Sequence, residues 1–391
     1  MCTGGLGGDY DRRVASYWLE ERGAPLPRTA LTGAPEVEIV GGGVTGCSCA
    51  LALADAGVRV RLHEAREIAG GASGRNGGFA LRGGAMAYDA ARKQLGPDSA
   101  RAYWQLTEQA QARLASLAGD AFRPLGSLRL AVDEPERSAL RAEFDALVED
   151  EFAAEWLDAH ELSPPLRGRF AAALLHPPDG AIQPVRWVRS LARLAAEAGA
   201  EVREGSRVGS LEELEAERVV VATDGLGHGL VPELDVRVRA TRGQVLVTES
   251  LPKLVFERPH YSRYGLDYWH QTRDRRLVIG GSRDAGGDDE WTDDESVTDV
   301  VQSRIETLAR ELLGRAPRVT HRWAGIWGTT EDLLPLVGQV PGNPRVWVAA
   351  GYSGHGNVLG FASGELVARA LGGDRDPILD VLDPARAAAE V

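Results

Sequence analysis

A glycine-rich turn near the start of the chain constrains its fold more than any other segment. The run 38–46, EIVGGGVTG, predicts a β-strand that enters a tight turn and opens a helix. Gly41 permits the turn, Gly43 lets the backbone approach a pyrophosphate, and Gly46 lets the helix pack closely on the strand. The pattern therefore predicts the unit that binds the adenosine diphosphate half of a dinucleotide.

The residues that flank this turn supply the phosphate and ribose contacts of such a unit. The helix begins near Val44 and Thr45, so its unpaired N–H groups and its positive dipole end face the phosphates. A second β-rich run, 58–63, ends at Glu64, where a carboxylate accepts hydrogen bonds from ribose hydroxyls and would repel a 2′-phosphate. The turn alone does not distinguish NAD from FAD.

A second glycine-rich segment, 65–79, follows the acidic residue and reads AREIAGGASGRNGGF. Ser73 and Arg75 can reach phosphate oxygens, Asn76 can hydrogen-bond a ring edge, and the two glycines after it permit a flat ring to approach closely. In this segment the chain resembles the D-amino-acid oxidase superfamily of FAD-dependent oxidoreductases, particularly its glycine/sarcosine oxidase and γ-glutamylputrescine oxidase-like branch. The resemblance implies FAD rather than NAD.

A region near the C-terminus resembles the closing signature of the same superfamily. Residues 322–338 lead to a strand at 345–350, and the motif GYSGHGN at 351–357 then opens a helix. The dipole of that helix would stabilise negative charge beside the pyrimidine edge of a reduced flavin. His355 can transfer a proton there, or it can simply cap or pack against the helix.

The motifs and the resemblance together give a set of predicted FAD contacts. The resemblance also implies that the backbone at Val208 borders the adenine. The sarcosine oxidase pattern has a flavin-linked cysteine in the C-terminal region, and because Cys2, Cys47 and Cys49 all lie elsewhere, non-covalent FAD is expected. The predicted cofactor-binding residues are Gly41, Gly43, Val44, Thr45, Gly46, Glu64, Ala65, Arg66, Gly71, Ala72, Ser73, Arg75, Asn76, Gly77, Gly78, Val208, Thr223, Gly325, Trp327, Gly354, His355, Gly356 and Asn357.

The length of 391 residues exceeds a typical single core and predicts two domains. The predicted fold class is α/β, with a Rossmann-type FAD-binding domain and a discontinuous α+β substrate domain built on an antiparallel sheet. The predicted division is an N-terminal leader at 1–35, an FAD-binding domain at 36–85, 180–235 and 320–391, and a substrate domain at 86–179 and 236–319.

Periodicity gives the main elements of the predicted substrate domain. Helical spacing of apolar residues extends over 97–117, 135–157 and 295–313. Alternation between turn residues predicts the strands of the antiparallel sheet over 236–248, 264–270 and 276–280.

Composition limits the partners of the chain. A formal net charge of −13 argues against a surface that follows nucleic-acid phosphates. No apolar run approaches the length of a membrane span, and the N-terminus lacks a signal-peptide pattern, so a cytoplasmic location is expected. Three cysteines provide neither a disulfide framework nor a set of metal ligands, and no metal is expected.

The predicted substrate site departs from the family pattern at Trp327. In the glycine oxidase pattern this position, after a Trp-Ala-Gly-aliphatic run, holds the arginine that binds the substrate carboxylate. An indole cannot form that bidentate pair, and aromatic walls favour amines. Tyr268 and His270 share one side of a predicted strand and can face the flavin, while Arg242 and Arg263 are candidates for binding an acidic tail. The predicted catalytic residues are Trp327, His355, Tyr268 and His270.

The function that these features predict is oxidation of the C–N bond of an amine or secondary amino acid. The substrate would give hydride to flavin N5, the imine would hydrolyse, and oxygen or another acceptor would reoxidise the flavin. One alternative is a flavoprotein subunit that is active only with a partner chain or with a non-oxygen electron acceptor. Another is a flavoenzyme that modifies tRNA, which the excess of acidic residues disfavours.

Overall fold

The structure is a computed structural model that describes residues 16–21 and 23–386. Cys2 and the beginning of the predicted leader lie outside these residues. The described chain has the following strands: β1 (Val37–Val40), β2 (Val60–His63), β3 (Phe79–Ala80), β4 (Phe122–Arg123), β5 (Ser127–Ala131), β6 (Glu155–Asp158), β7 (Ala172–His176), β8 (Gly180–Ile182), β9 (Glu201–Arg203), β10 (Arg218–Val221), β11 (Arg239–Ser250), β12 (His260–Ser262), β13 (Asp267–Gln271), β14 (Arg276–Gly281), β15 (Val319–Thr329), β16 (Leu336–Val340) and β17 (Asn343–Ala350).

The helices connect and cover these strands. They are α1 (Val44–Asp55), α2 (Tyr88–Leu95), α3 (Pro97–Leu117), α4 (Glu134–Glu149), α5 (Pro184–Glu197), α6 (Pro232–Asp235), α7 (Asp299–Leu313), α8 (Gly356–Leu371) and α9 (Ile378–Val381). Among the residues that the structure describes, no helix combines the length and apolar character needed to cross a bilayer.

A six-stranded sheet forms the nucleotide-binding layer, in the order β16-β17-β10-β1-β2-β9. All its pairings are parallel except that of the edge strand β16 with β17. Its central strands are short and buried on both faces, as expected where helices cover a parallel sheet. The Rossmann-type layer predicted from the glycine turn is thus confirmed.

The turn between β1 and α1 requires glycine at two positions. Gly41 has a φ of +113°, and a Cβ atom there would come within 2.6 Å of the carbonyl oxygen of Ala222. A Cβ atom on Gly46 would overlap the carbonyl oxygen of Gly41. The first glycine therefore sets the backbone conformation, and the last one allows α1 to lie directly on the turn.

Helices α1 and α8 pack against each other through small residues, which we call the α1–α8 seam: Thr45, Ser48, Gly360 and Gly364. A Cβ atom on Gly360 would lie 2.8 Å from Oγ1 of Thr45, and one on Gly364 would overlap both Oγ of Ser48 and the carbonyl oxygen of Thr45. The Ser48 hydroxyl donates a 3.0 Å hydrogen bond to the carbonyl of Phe361. The two backbones are therefore held in close contact near their N-termini.

An eight-stranded sheet forms the second layer, in the order β15-β11-β14-β13-β12-β5-β7-β6. Its pairings are antiparallel except for β12 with β5. Strand β15 crosses the predicted domain boundary at residue 320 and pairs along its length with β11. Helix α7 covers one face, where Val301 and Ile305 pack in the same apolar cluster as Leu246 and Ile279.

The predicted helix over 135–157 is too long, because α4 ends at Glu149 and residues 155–158 form the edge strand β6. Glu151 adopts a left-handed conformation with a φ of +63°. The N–H of Phe152 then bonds to the carbonyl of Leu147, and that of Glu151 bonds to the carbonyl of Val148. This is a Schellman ending, and the sequence pattern missed it because the left-handed residue is not glycine.

The predicted strand over 264–270 also begins too early. Tyr264 has a φ of +55° and lies in the turn between β12 and β13, where its side chain is largely exposed. The strand itself is Asp267–Gln271. Within it, Trp269 is buried in the cluster beneath α7, so Tyr268 and His270 do share the opposite face, as alternation requires.

We expect Gly364→Ala to lower the free energy of unfolding by about 1–3 kcal/mol, because the added methyl group overlaps a backbone oxygen across the α1–α8 seam. Urea-induced unfolding of both proteins measures the difference. Gly372→Ala is the matched control at the end of the same helix, since its nearest neighbour would lie at 3.3 Å. Equal stability of Gly364→Ala and the control would contradict the steric role of the seam.

Candidate active site

A cavity of about 370 Å³ lies where the carboxyl ends of the six-stranded sheet meet the larger sheet. We call it the central cavity. Its volume is in the range of small-molecule and cofactor sites. The predicted residues that the structure brings together in its walls are Gly43, Val44, Thr45, Ala72, Ser73, Arg75, Asn76, Gly77, Tyr268, Gly325, Trp327, Gly354, His355, Gly356 and Asn357.

The N-termini of α1 and α8 both open into the central cavity. Val44 and Thr45 are the first residues of α1, and Gly356 and Asn357 are the first residues of α8. The N–H of Val44 donates a 2.9 Å hydrogen bond to Oγ of Ser73. Two positive helix ends therefore face one enclosed space, an arrangement that suits a ligand with negative charge at two places.

Glu64 lies behind the glycine turn and outside the walls of the cavity. Its carboxylate accepts 2.7 Å hydrogen bonds from the N–H groups of Gly42 and Arg66. The Arg66 guanidinium in turn bonds to Glu295 at 2.8 Å, and the side chain of Ala65 is exposed. The carboxylate is thus fixed beside the turn by backbone donors, at the end of β2 where a ribose contact was predicted.

The loop 72–78 is cross-linked to α8 by a pair of amide side chains. Asn76 and Asn357 exchange two 3.2 Å hydrogen bonds, and the Asn357 amide also donates to the carbonyl of Phe79 at 2.7 Å. Oδ1 of Asn76 accepts from the N–H of Gly78 at 2.8 Å. Asn76 therefore shapes this loop and ties it to the second helix N-terminus.

The N-terminal segment supports the same loop from outside. The Ser16 hydroxyl donates to the carbonyl of Gly74 at 2.7 Å, and the Trp18 indole N–H donates to the carbonyl of Asn76 at 2.8 Å. The Trp18 ring also stacks on His270, with ring centroids 6.1 Å apart. The part of the leader that the structure describes thus packs over the body of the protein.

His270 does not reach the central cavity, although it shares a strand face with Tyr268. Its Nε2 atom lies 2.9 Å from the carbonyl oxygen of Gly77, and its ring is buried between this loop and Trp18. The structure therefore does not support a direct action of His270 on the substrate, and the residue supports the loop instead. Tyr268 is in the cavity wall, in an edge-to-face contact with Phe79.

The remaining predicted contacts also lie outside the cavity walls. Gly71 precedes the short turn Ala72–Gly74, and Thr223 ends the segment that follows β10. Val208 is buried in an apolar cluster with residues of β1 and β10. These residues border the nucleotide-binding sheet rather than the enclosed cavity.

Asp224 is a cavity residue that the sequence analysis missed. Its buried carboxylate accepts hydrogen bonds from the N–H groups of Gly328 at 2.9 Å and Gly351 at 2.7 Å. Burial raises the pKa of this carboxyl, and the backbone donors partly offset that increase. Asp224 thereby joins the loop after β10 to the ends of β15 and β17. The available signal was an acidic residue in the turn that follows the buried apolar strand β10.

Trp327 lines the cavity, and its position depends on a glycine in the facing strand. A Cβ atom on Gly243 would overlap the Trp327 ring. The indole N–H donates to Oγ1 of Thr329 at 3.1 Å. Tyr261 and Tyr264 line the cavity together with Tyr268, so its walls are rich in aromatic rings.

Arg242 and Arg263, the predicted candidates for an acidic tail, are engaged elsewhere. Arg242 is buried and bonds to Glu290 at 2.8 and 3.0 Å. Arg263 bonds to Asp267 at 2.7 Å and to Asp284 at 2.9 Å. Neither side chain lines the central cavity, and each guanidinium is paired with carboxylates of the protein.

The geometry of the sheet and the cavity defines a class of protein. A parallel sheet with an acidic residue after its second strand, beside a cavity that receives two helix N-termini, is the arrangement of a dinucleotide-binding protein. Across the described residues, no group of three or more His, Cys, Asp or Glu side chains is arranged to hold a metal ion.

Comparison with known proteins identifies the family. The chain belongs to the family described as FAD dependent oxidoreductase (DAO), whose profile matches residues 36–370. It is 30% identical over 368 residues to γ-glutamylputrescine oxidoreductase of Escherichia coli, covering 87% of this chain and 84% of that one. It is 28% identical over 360 residues to glycine oxidase of Bacillus licheniformis, covering 84% and 91%.

A solved structure supports the fold. The crystal structure of glycine oxidase from Geobacillus kaustophilus superposes with a TM-score of 0.77, covering 92% of this chain and all of that one, at 23% identity. The family match confirms FAD as the cofactor and the superfamily resemblance predicted from the sequence, and the superposition confirms the predicted fold class.

Buried histidines give the structure a defined pH dependence. Burial lowers the pKa of His355 and His270 to about 4 and that of His260 to about 3. Between these values and the ordinary 6.5, the unfolded chain binds protons that the folded chain does not. Stability is therefore lost as the pH falls from about 6.5 towards 4.

We expect the urea midpoint, measured at fixed saturating FAD, to fall steadily from pH 7 to pH 5. Each such histidine contributes at most about 1.4 kcal/mol per pH unit. Replacing one of them, in His260→Gln, should make the pH dependence less steep. A midpoint that stays constant or rises over this interval would contradict the burial of neutral imidazoles.

Proposed function

We propose that the chain binds FAD non-covalently in the central cavity and oxidises the C–N bond of an amine or amino acid. The observation that supports this proposal most strongly is the convergence of the α1 and α8 N-termini on one cavity. Membership of the FAD dependent oxidoreductase family identifies FAD as the cofactor.

The chemistry of the donors fits FAD. The N–H groups of Gly43 and Thr45, with the Ser73 hydroxyl that already accepts from the Val44 N–H, would hold the diphosphate. Glu64 lies outside the cavity walls, beside the glycine turn, and would hold the ribose. Gly77 and Gly325 line the cavity without side chains that would exclude a flat ring. The described cysteines, Cys47 and Cys49, are both buried in α1, which supports a non-covalent cofactor.

When bound, FAD supplies the electron acceptor for a hydride from the substrate carbon beside nitrogen, which leaves an imine that water hydrolyses. The protein has to orient that carbon, exclude water and accept an unprotonated amine. Aromatic walls at Trp327, Tyr268 and Tyr261 suit an amine. The positive end of α8 would stabilise negative charge that develops nearby.

His355 can act in the reaction as a neutral hydrogen-bonding group, without gaining or losing a proton. Its Nδ1 atom is buried with no hydrogen-bond partner in the described chain, and the side chain lines the cavity. Because burial keeps its pKa at about 4, the imidazole is neutral at physiological pH. We therefore assign it a role as a neutral hydrogen-bonding group at the start of α8.

The relatives support the substrate class. One is named γ-glutamylputrescine oxidoreductase and another glycine oxidase, so both names concern compounds with an amino group. We infer an amine or amino-acid substrate for this chain, with oxygen or another compound as the final electron acceptor.

Anaerobic titration of the purified yellow protein tests this function. We expect at least one member of a panel of primary amines, secondary amines and amino acids, including glycine, to bleach the flavin. Admitting oxygen, or an artificial acceptor in a parallel sample, then shows which compound restores the colour. If the chain binds FAD but no member of the panel bleaches it, C–N oxidation is the wrong assignment.

We expect Gly43→Asp to weaken FAD binding at least about tenfold, because the new carboxylate would face the diphosphate at the α1 N-terminus. The nearest atom to the added Cβ is the Ser73 hydroxyl, which can rotate away, so the fold should persist. FAD content per chain and fluorescence titration of the apoprotein measure the effect.

Gly372→Asp provides the matched control, since it adds the same charge at an exposed position after α8. The control should retain normal FAD content. Normal FAD affinity in Gly43→Asp would contradict the placement of the diphosphate.

A further inference from the structure

The Arg283 side chain lies in the wall of the central cavity, and its positive charge has no bonded partner among the described residues. It follows β14 directly, at the start of the short turn Arg283–Ala285, and its side chain is partly buried. Within the described chain, its guanidinium forms no ion pair within 4.0 Å and no hydrogen bond. A partly buried guanidinium with free donors is the kind of group that binds an anionic ligand.

Three carboxylates near Arg283 are bound by other groups. Asp284, the adjacent residue, is bound to Arg263 at 2.9 and 3.0 Å. Asp267, on the neighbouring strand, binds Arg263 and the hydroxyl of Ser282. The remaining acidic neighbour, Glu290, is held by Arg242 and by Gln244. Internal neutralisation thus uses these three acids, and none of them bonds to Arg283.

The electrostatic contrast between the arginines agrees with this arrangement. Hydrogen bonds to Asp284 and Asp267 raise the pKa of Arg263, and those to Glu290 raise the pKa of Arg242. Burial instead lowers the pKa of Arg283, and the charges of Glu290 and Asp284, which do not bond to it, offset that decrease only in part. A ligand anion would add to that offset.

The position of the Arg283 guanidinium is set by a stacked indole. Its central carbon lies 5.1 Å from the ring centroid of Trp291. Stacking on a ring face leaves the in-plane N–H groups of a guanidinium available for a bidentate contact. The turn that carries Arg283 is itself held by Ser282, whose N–H donates to the carbonyl of Leu266 at 2.7 Å.

The other charged groups of the cavity do not compete for this role. Arg75 is engaged with the carbonyl of Gly70 at 2.9 Å and with Glu295 at 3.5 Å. Asp224 is saturated by backbone N–H groups. Position 327, where the resembled glycine oxidase pattern has its carboxylate arginine, holds an indole. In this chain the Arg283 guanidinium, which has no bonded partner among the described residues, lines the cavity at the end of β14.

We propose that Arg283 binds a carboxylate of the substrate, so that the substrate is an amine that also carries a carboxylate. This inference rests on the proposed oxidation of a C–N bond and narrows its substrate class. A single planar guanidinium matches one carboxylate with two parallel hydrogen bonds. Simple alkylamines would lack this contact and bind more weakly.

Binding of butyrate to the FAD-loaded protein tests the subsite without requiring turnover. Perturbation of the visible flavin spectrum gives the Kd, with n-butanol as the uncharged counterpart. We expect Arg283→Met to raise the Kd of butyrate on the order of 10- to 100-fold, with a smaller increase for Arg283→Lys. The affinity for n-butanol should stay within about twofold in every variant.

Arg239→Met is the matched control. Arg239 stacks on the same indole, with its guanidinium carbon 4.0 Å from the Trp291 centroid, but it does not line the cavity. Its removal deletes the same charge from the same ring and should leave butyrate binding within about twofold of the wild type. FAD content and far-UV circular dichroism establish whether each variant is folded. If Arg283→Met does not fold, the comparison with the wild type is made with Arg283→Lys.

Matched substrates extend the test to turnover. The ratio of kcat/KM for γ-aminobutyrate to that for n-butylamine, and for sarcosine to that for N-methylethylamine, should fall in Arg283→Met and not in Arg239→Met. The inference is overturned if the wild type does not bind butyrate or if Arg283→Met binds it normally. It is also overturned if Arg283→Met lowers kcat/KM equally for both members of each substrate pair. If butyrate binding depends on Arg283 but no amine reduces the flavin, the subsite is supported and the proposed oxidation is refuted.

Discussion

The close approach of α1 and α8 is the constraint on which the rest of the site depends. Because Gly360 and Gly364 have no side chains, the two helices meet at Thr45 and Ser48, and both N-termini open into one cavity. The hydroxyls of Thr45 and Tyr352 lie 2.9 Å apart and join the first turn of α1 to the segment before α8. A larger residue in the seam would separate the helix ends, and with them the two places where a dinucleotide with a redox ring needs positive potential.

The surroundings of the cavity are organised so that its polar groups are fixed before a ligand arrives. Asp224 uses its charge to hold backbone N–H groups of two strands, and Asn76 uses its amide to hold a loop against α8. Arg263 neutralises two acids beside the cavity. These bonds leave aromatic rings, helix ends and the Arg283 guanidinium facing the interior. The cofactor supplies the redox chemistry, so the protein contributes orientation, electrostatics and exclusion of water.

Local patterns in the sequence predicted those elements that depend only on residues close together in the chain. The glycine turn, the acid after β2 and the second helix N-terminus each depend on neighbouring residues, and each was predicted at its observed place. Features that depend on distant contacts were not predictable. Asp224 binds the N–H groups of Gly328 and Gly351, which lie 104 and 127 residues further along the chain. Arg242 bonds to Glu290, which becomes its neighbour only in the folded chain. His270 faces the expected side of its strand, but the loop at Gly77 and the ring of Trp18 separate it from the cavity.

Competition among FAD, ADP and FMN for the purified apoprotein tests the central claim most directly, because that claim places the two halves of one cofactor at the two helix N-termini. Calorimetric titration should show that ADP and FMN each bind, that FAD displaces both, and that FAD binds more tightly than either. Equal affinities for FMN and FAD, or FAD binding that saturating ADP leaves unchanged, would show that the glycine turn at α1 does not hold the adenosine diphosphate half.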